Sequence, residues 1–340
     1  LFLVDLVRTL RKPEKEVGNP WNAPTLEWLP SEDYGNRSIP QITSDDPLWE
    51  QPSLSHEVET GQHYLPFTAT GRRETIATSP VAAEPRYLMI LPGDSWWPVI
   101  AAAGTAGFFL LLTIKMIVVA WACGIAAVVA TMVWLWQLDR QPPMATAKVS
   151  DTLILPVGAT GAASQSWWGT MIMLVVDATI FASFVFAYIH ISMRLNVCPP
   201  PGASLPEPLW PLLSCGLLVA GSALIALSKR FIGSWPMPLL VLSALGCVCA
   251  AFGFDLHGYG LAGLDPKAHA WSAAIAAIVS YQGLHVVVLA LAGLFLAARG
   301  WCGYGSQSSR ATIDNVALIW HYTTLQGIAA AAAVHFVPMV

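Results

Sequence analysis

Asp177 is the residue whose type and position most constrain the chemistry of this 340-residue chain. It stands about ten residues inside an apolar run from Trp167 to Met193, which at 1.5 Å per residue is ~15 Å along a helix. A carboxylate at that depth in a bilayer costs ~2.5–3.5 kcal/mol, so the side chain must face other helices or a wet cavity. Two roles fit: proton handling, or a structural bond from a protonated carboxyl to a neighbouring helix. His285 and His321 lie inside later apolar runs, and His190 and His335 lie near segment ends. No pair of these histidines has i, i+4 spacing and no Cys cluster accompanies them, so no metal site is expected. Structural hydrogen bonds, a proton network or lipid headgroups are the roles left to them. Asp314 joins Asp177, His285 and His321 as a proton-linked or structural polar candidate, and Arg310 joins His285 as a lipid-headgroup candidate.

Other groups carry less. Cys247 and Cys249 are two apart and point to different faces of a helix. The stretch Asp255 to His269 concentrates titratable side chains and reads as a solvated connector. No Gly-rich nucleotide loop, nucleophile elbow or zinc-protease helix is present, so catalysis within the chain is not expected.

The elements that must position these residues follow from composition. With 55% hydrophobic and 11% charged residues, the chain has more apolar surface than a soluble core can hide, so it must meet lipid. A net charge of −4 without a basic block excludes nucleic acid as a partner. The six Cys are scattered, which fits buried thiols rather than a disulfide scaffold.

Runs long enough to cross a hydrocarbon core recur from Trp97 onward. They are Trp97–Ile114, Met116–Leu138, Trp167–Met193, Leu209–Ser228, Pro238–Phe254, Trp271–Ala298 and Val316–Val337. The expected fold is all-α: a polytopic bundle of seven transmembrane helices, arranged as a two-helix hairpin (96–138), a connecting segment (139–166) and a five-helix bundle (167–340). Little more than Lys115 separates the first two runs, so they must form a tight hairpin. Residues 1–95 hold most of the charge and many Pro, and read as a largely irregular tail. Leu1 to Arg8 shows neither an initiator Met nor a signal-peptide n-region, so the chain is expected to start inside an element already under way.

Orientation follows from Lys and Arg. With the tail inside, the short inner loops hold Arg140, Lys148, Lys229, Arg230, Arg299 and Arg310, against Lys115, Arg194 and Lys267 outside. The tail is therefore expected in the cytoplasm and Val340 outside. Trp residues at segment ends read as interface anchors. Small-residue runs such as Ala101–Gly104 and Ala329–Ala333 let helices approach closely, favouring a bundle over isolated anchors.

Three phrases in order carry a resemblance. Ser166-Trp167-Trp168-Gly169, followed by Asp177 and Phe181-Ala182-Ser183, resembles the start of the third helix of subunit III of haem-copper oxidases, where that family carries a carboxylate. Gly283-Leu284-His285-Val286 resembles the family's helix-six phrase, and Asp314-Asn315-Val316-Ala317-Leu318-Ile319-Trp320-His321-Tyr322 its helix-seven opening. Upstream, Asn19-Pro20-Trp21-Asn22-Ala23-Pro24-Thr25-Leu26-Glu27-Trp28 is similar to the phrase that follows the last helix of subunit I. Trp49-Glu50-Gln51-Pro52 and Gly71-Arg72-Arg73-Glu74-Thr75 are similar to the linker of bacterial fused I+III chains. One departure matters: Tyr322-Thr323-Thr324 stands where stand-alone subunits III place an aromatic, a Val and an Asp, so a role resting on that Asp does not transfer.

The resemblance implies the rear part of a fused I+III polypeptide of an aa3-type cytochrome c oxidase, in the bacterial inner membrane. It implies a non-catalytic component that supports proton uptake and durability of subunit I, during oxygen reduction coupled to proton pumping. Haem a and copper are expected in partner subunits and none in this chain, with phospholipid bound between the hairpin and the other five helices. Implied partners are the subunit I core, subunit II and phospholipids, with other respiratory complexes as a further option. Subunit III of a quinol oxidase remains an alternative, as does a transporter or channel with Asp177 on its path. An enzyme with its own membrane site is disfavoured by the scatter of its titratable groups.

Overall fold

The computed structural model describes residues 4–5, 8, 18–29, 40, 42–60, 62, 74–79, 81–82, 84–93, 95–138, 146–149, 153–195, 197–304 and 310–336. Most of the opening helical stub, Gly71 to Arg73 of the linker phrase, residues 139–145 and 150–152 of the connecting segment, and the end of the last run from Val337 lie outside the described residues. The chain divides into two compact units, Leu1–Asp94 with Thr146–Val157, and Ser95–Ala145 with Gly158–Val340.

The first unit is more ordered than its composition suggests. Asn19 closes the Asn19–Trp28 phrase on itself: its Nδ2 donates to the Ala23 carbonyl at 2.8 Å and its Oδ1 accepts the Ala23 N–H at 2.9 Å. Trp49, in helix α1 (Pro47–Glu50), donates its Nε1–H to the Asn22 carbonyl at 2.7 Å. Leu29, together with Leu54 and Val58 of helix α2 (Leu54–Glu59), forms a small apolar cluster. Strands β1 (Glu74–Thr78) and β2 (Pro85–Ile90) pair antiparallel, with Glu74 opposite Ile90, and β3 (Thr146–Lys148) pairs antiparallel with β4 (Ile154–Pro156). A parallel bridge from Leu88 to Val157 joins the two ribbons, over a core of Leu88, Ala147, Val149 and Leu155. The tail is thus not simply irregular, and part of the connecting segment folds with it.

The second unit holds helices α3 (Trp97–Thr113), α4 (Ile117–Leu138), α5 (Gln165–Arg194), α6 (Leu209–Ser228), α7 (Pro236–Leu261), α8 (Ala270–Trp301) and α9 (Arg310–Phe336). Among the described residues five are long and apolar enough to cross a membrane: α4, α5, α6 extended to Phe231, α7 and α8. Helix α3 is apolar but shorter. Helix α9 carries Arg310, Asp314, Asn315, His321 and Gln326 along its length. The protein is a mostly helical, multi-pass membrane protein.

The expected tight hairpin between α3 and α4 is present, and its turn is specific. Lys115 adopts φ +63°, the Met116 N–H reaches the Leu111 carbonyl at 2.9 Å and the Lys115 N–H reaches Leu112 at 3.0 Å. This is a Schellman termination with Lys where Gly is usual, and left-handed backbone costs a non-Gly residue roughly 1–2 kcal/mol. Close approach of the arms needs Gly104, since a Cβ there would lie 2.9 Å from the Cys123 carbonyl oxygen. Among the described residues neither arm packs along its length on α5–α9. Trp136, near the end of α4, does meet the rings of Phe295 and Tyr304, each with centroids 5.8 Å apart.

Helix α9 packs on α5, α6 and α8. One apolar cluster joins α6–α9 through Leu218, Val241, Ala244, Leu289, Ala317 and Trp320. A second joins α5, α8 and α9 through Tyr188, Trp271, Ile275, Ile278 and Val334, locked by a 3.0 Å bond from Tyr188 Oη to the Val334 carbonyl. The stretch read as a solvated connector from Asp255 is corrected for its first half. Asp255 to Leu261 complete α7, with Gly258 buried where a Cβ would lie 2.8 Å from Trp210. Residues 262–269 form the turn to α8.

Candidate functional site

Two strongly apolar helices, α5 and α8, and the more polar α9 bring four polar side chains to one point. Asp177 is twelve residues beyond the start of α5, Tyr281 eleven beyond the start of α8 and Tyr322 twelve beyond the start of α9, so each lies ~16–18 Å along its helix. Tyr281 donates its hydroxyl to Asp177 Oδ1 at 2.6 Å. Tyr322 donates to Oδ2 at 2.5 Å, and His285 Nε2 lies 3.0 Å from the same oxygen. His285 is one helical turn beyond Tyr281, and its Nδ1 lies 2.9 Å from the Tyr281 carbonyl. The imidazole is 9% exposed and the carboxylate 23%.

The hydrogen positions follow from the partners. A backbone carbonyl only accepts, so Nδ1 of His285 must carry a hydrogen. The Nε2 to Oδ2 contact is then satisfied in two ways: imidazolium donates to carboxylate, or carboxyl donates to neutral imidazole. Both hold one shared proton and are neutral in sum, and removing it would set an imidazole lone pair against a carboxylate. Two tyrosine hydroxyls supply further donors, which is how a carboxyl at this depth avoids the cost of an unpaired charge. The cluster can store one proton, pass it over 3.0 Å between Asp177 and His285, and tie α5, α8 and α9 together.

The other sequence candidates lie elsewhere. His321, next to Tyr322, turns to α6, where its Nδ1 lies 2.6 Å from Ser222 Oγ. Asp314, in the second turn of α9, pairs with Lys229 Nζ at 2.9 Å and with Arg310 Nε at 3.7 Å. That group pins the start of α9 to the end of α6. Arg310 and His285, both read as headgroup candidates, are therefore on different parts of the bundle: Arg310 at a helix end, His285 within the cluster. His190 stacks on Phe186. Thr324 is buried and donates to the Leu218 carbonyl at 3.2 Å.

Sequence reasoning missed Tyr281 and Tyr322 as functional residues. The available signal was spacing: Tyr281 precedes His285 by four, which on a helix places both on one face. Among the described residues no group of three His, Cys, Asp or Glu is arranged to hold a metal ion. No model of a known protein family matches this sequence.

Proposed function

We propose that this chain is the non-catalytic, subunit III-like component of a haem-copper terminal oxidase, joined to the end of subunit I. The observation that carries the reading is convergence. The three phrases that resemble subunit III lie on α5, α8 and α9, and Asp177, His285 and Tyr322, one from each, meet in a single cluster. A two-helix hairpin that, among the described residues, packs along its length on itself, in a chain whose other five helices are joined through α8 and α9, is also what the resemblance calls for. The Asn19–Trp28 phrase, by its resemblance to the one that follows the last helix of subunit I, supports a fused I+III chain.

On this reading there are seven spans, the tail lies in the cytoplasm of a bacterial cell and Val340 lies outside. Haem a and copper sit in the subunit I core and subunit II. The Asp177 cluster supports proton uptake by a neighbouring subunit, or holds the bundle in the shape that subunit needs. A permeation path through Asp177 has less support, because its two oxygens already meet three protein groups. Native mass analysis of the complex purified from its own membrane tests the proposal. A haem-bearing partner travelling with this chain is expected, and a chain that purifies without one would overturn it.

A further inference from the structure

We propose that a partly open cavity lined by α6–α9 and by Pro206, just before α6, is a binding site for ordered water. It offers about 30 Å³ to the centres of water molecules, bounded by Trp210, Phe252, Asp255, Tyr259, Gln282 and His335 among others. A water needs ~10–15 Å³ of such space and two to four polar partners, so the cavity takes about two.

The polar wall asks for such a ligand. Gln282 is 5% exposed; its Nε2 donates to the Thr323 carbonyl at 3.3 Å, and its Oε1 is buried with no protein partner. Nε2 of His335 is likewise buried and unpartnered. Asp255 accepts the Ser214 hydroxyl through Oδ2 at 2.8 Å and faces the same space. A buried amide oxygen and a buried ring nitrogen left unpaired are each costly, and water, which both donates and accepts, can relieve each of them. Trp320, also buried with its Nε1 unpartnered, lies in the apolar cluster and does not line this cavity.

The proposal rests on this geometry and is independent of the oxidase reading. It is tested by X-ray radiolysis of the native complex in ¹⁸O-labelled water, since hydroxyl radicals born from bound water oxidise the side chains beside it. Tyr259 and His335 are expected to take up label while Trp320 does not. In Ala331→Leu, whose added carbons fill the cavity, that labelling is expected to be lost. Tyr259 and His335 as inert as Trp320 in the parent would mean a dry cavity and overturn the proposal. Labelling that persists undiminished in Ala331→Leu would mean water arriving from outside the bundle, and would overturn it too. Ala330→Val, at another lining position, takes its place if Ala331→Leu does not fold.

Discussion

The hydroxyl of Tyr322 lies 2.5 Å from Oδ2 of Asp177, although the two residues are 145 positions apart in the chain. The bond fixes the rotation of α9 against α5. It also explains how a carboxyl can be kept at this depth: the helix that closes over Asp177 brings a donor with it.

Asp177→Asn and Asp177→Leu are therefore expected to differ. The amide keeps an acceptor for one tyrosine and offers N–H groups to a neutral His285, while leucine orphans both hydroxyls and the ring nitrogen. Each orphaned group costs about 1–3 kcal/mol, so Asp177→Leu should lower the thermal unfolding midpoint well below that of Asp177→Asn. Equal midpoints would show that the cluster is not held by Asp177. Oxygen consumption through prolonged turnover adds the functional arm: if Asp177→Asn persists as the parent does, the shared proton has no role in it.

Gly104→Ala should loosen the hairpin. Its Cβ would meet backbone atoms, the Cys123 carbonyl oxygen at 2.9 Å and the Ala127 nitrogen at 3.0 Å, which cannot rotate away. Overpacking of this kind costs about 1–3 kcal/mol. Gly246→Ala, in α7 with nothing within 4 Å of its added carbon, is the control and should be neutral or stabilising by up to ~1 kcal/mol. Equal thermal shifts for both would contradict the close approach of α3 and α4.

At the turn, Lys115→Gly should hold or raise the unfolding midpoint, and Lys115→Ile should lower it. A β-branched residue at φ +63° is strained where Gly is not. Identical midpoints would mean that this turn does not persist in the membrane.

The Lys229–Asp314 pair should show coupling in a double-mutant cycle with Lys229→Met and Asp314→Asn, read as thermal stability. Half-buried, at 2.9 Å, it is expected to contribute about 1 kcal/mol and to weaken with salt. Additive single effects would assign the contact no energy of its own.

In a variant stripped of its six native cysteines, cysteines placed at the exposed Val81 and at Ser234 should react with an impermeant reagent from one side of the membrane, and those at Ala268 and Val340 from the other. Ala268 and Val340 on opposite sides would mean that α8 and α9 do not both cross.

Helix positions were legible because apolar length is all that a span requires, and Asp177 was legible because its cost is high. The partners of Asp177 were not. A helix facing lipid on one side and protein on the other is apolar on both, so the sequence carries little record of which way Tyr281 or Tyr322 turns. His321 shows the same limit: one residue from Tyr322, it faces a different helix. The end of α7 was misplaced because Asp255 and His257 break an apolar run, yet Asp255 finds Ser214 and the helix continues. In the tail, β1 and β2 escaped notice because their ribbon gains its core from residues 147–157, a contribution invisible to any local window.

The clamped ring of His285 has an electrical consequence. Shifting the shared proton from Oδ2 to Nε2 moves one charge by at most 3.0 Å, about a tenth of a ~30 Å hydrocarbon core. A membrane potential of ~100 mV does ~2.3 kcal/mol of work on a charge that crosses completely, so it biases this transfer by only about 0.2 kcal/mol, well below thermal energy. The cluster can exchange its two protonation forms in an energised membrane without the voltage choosing between them.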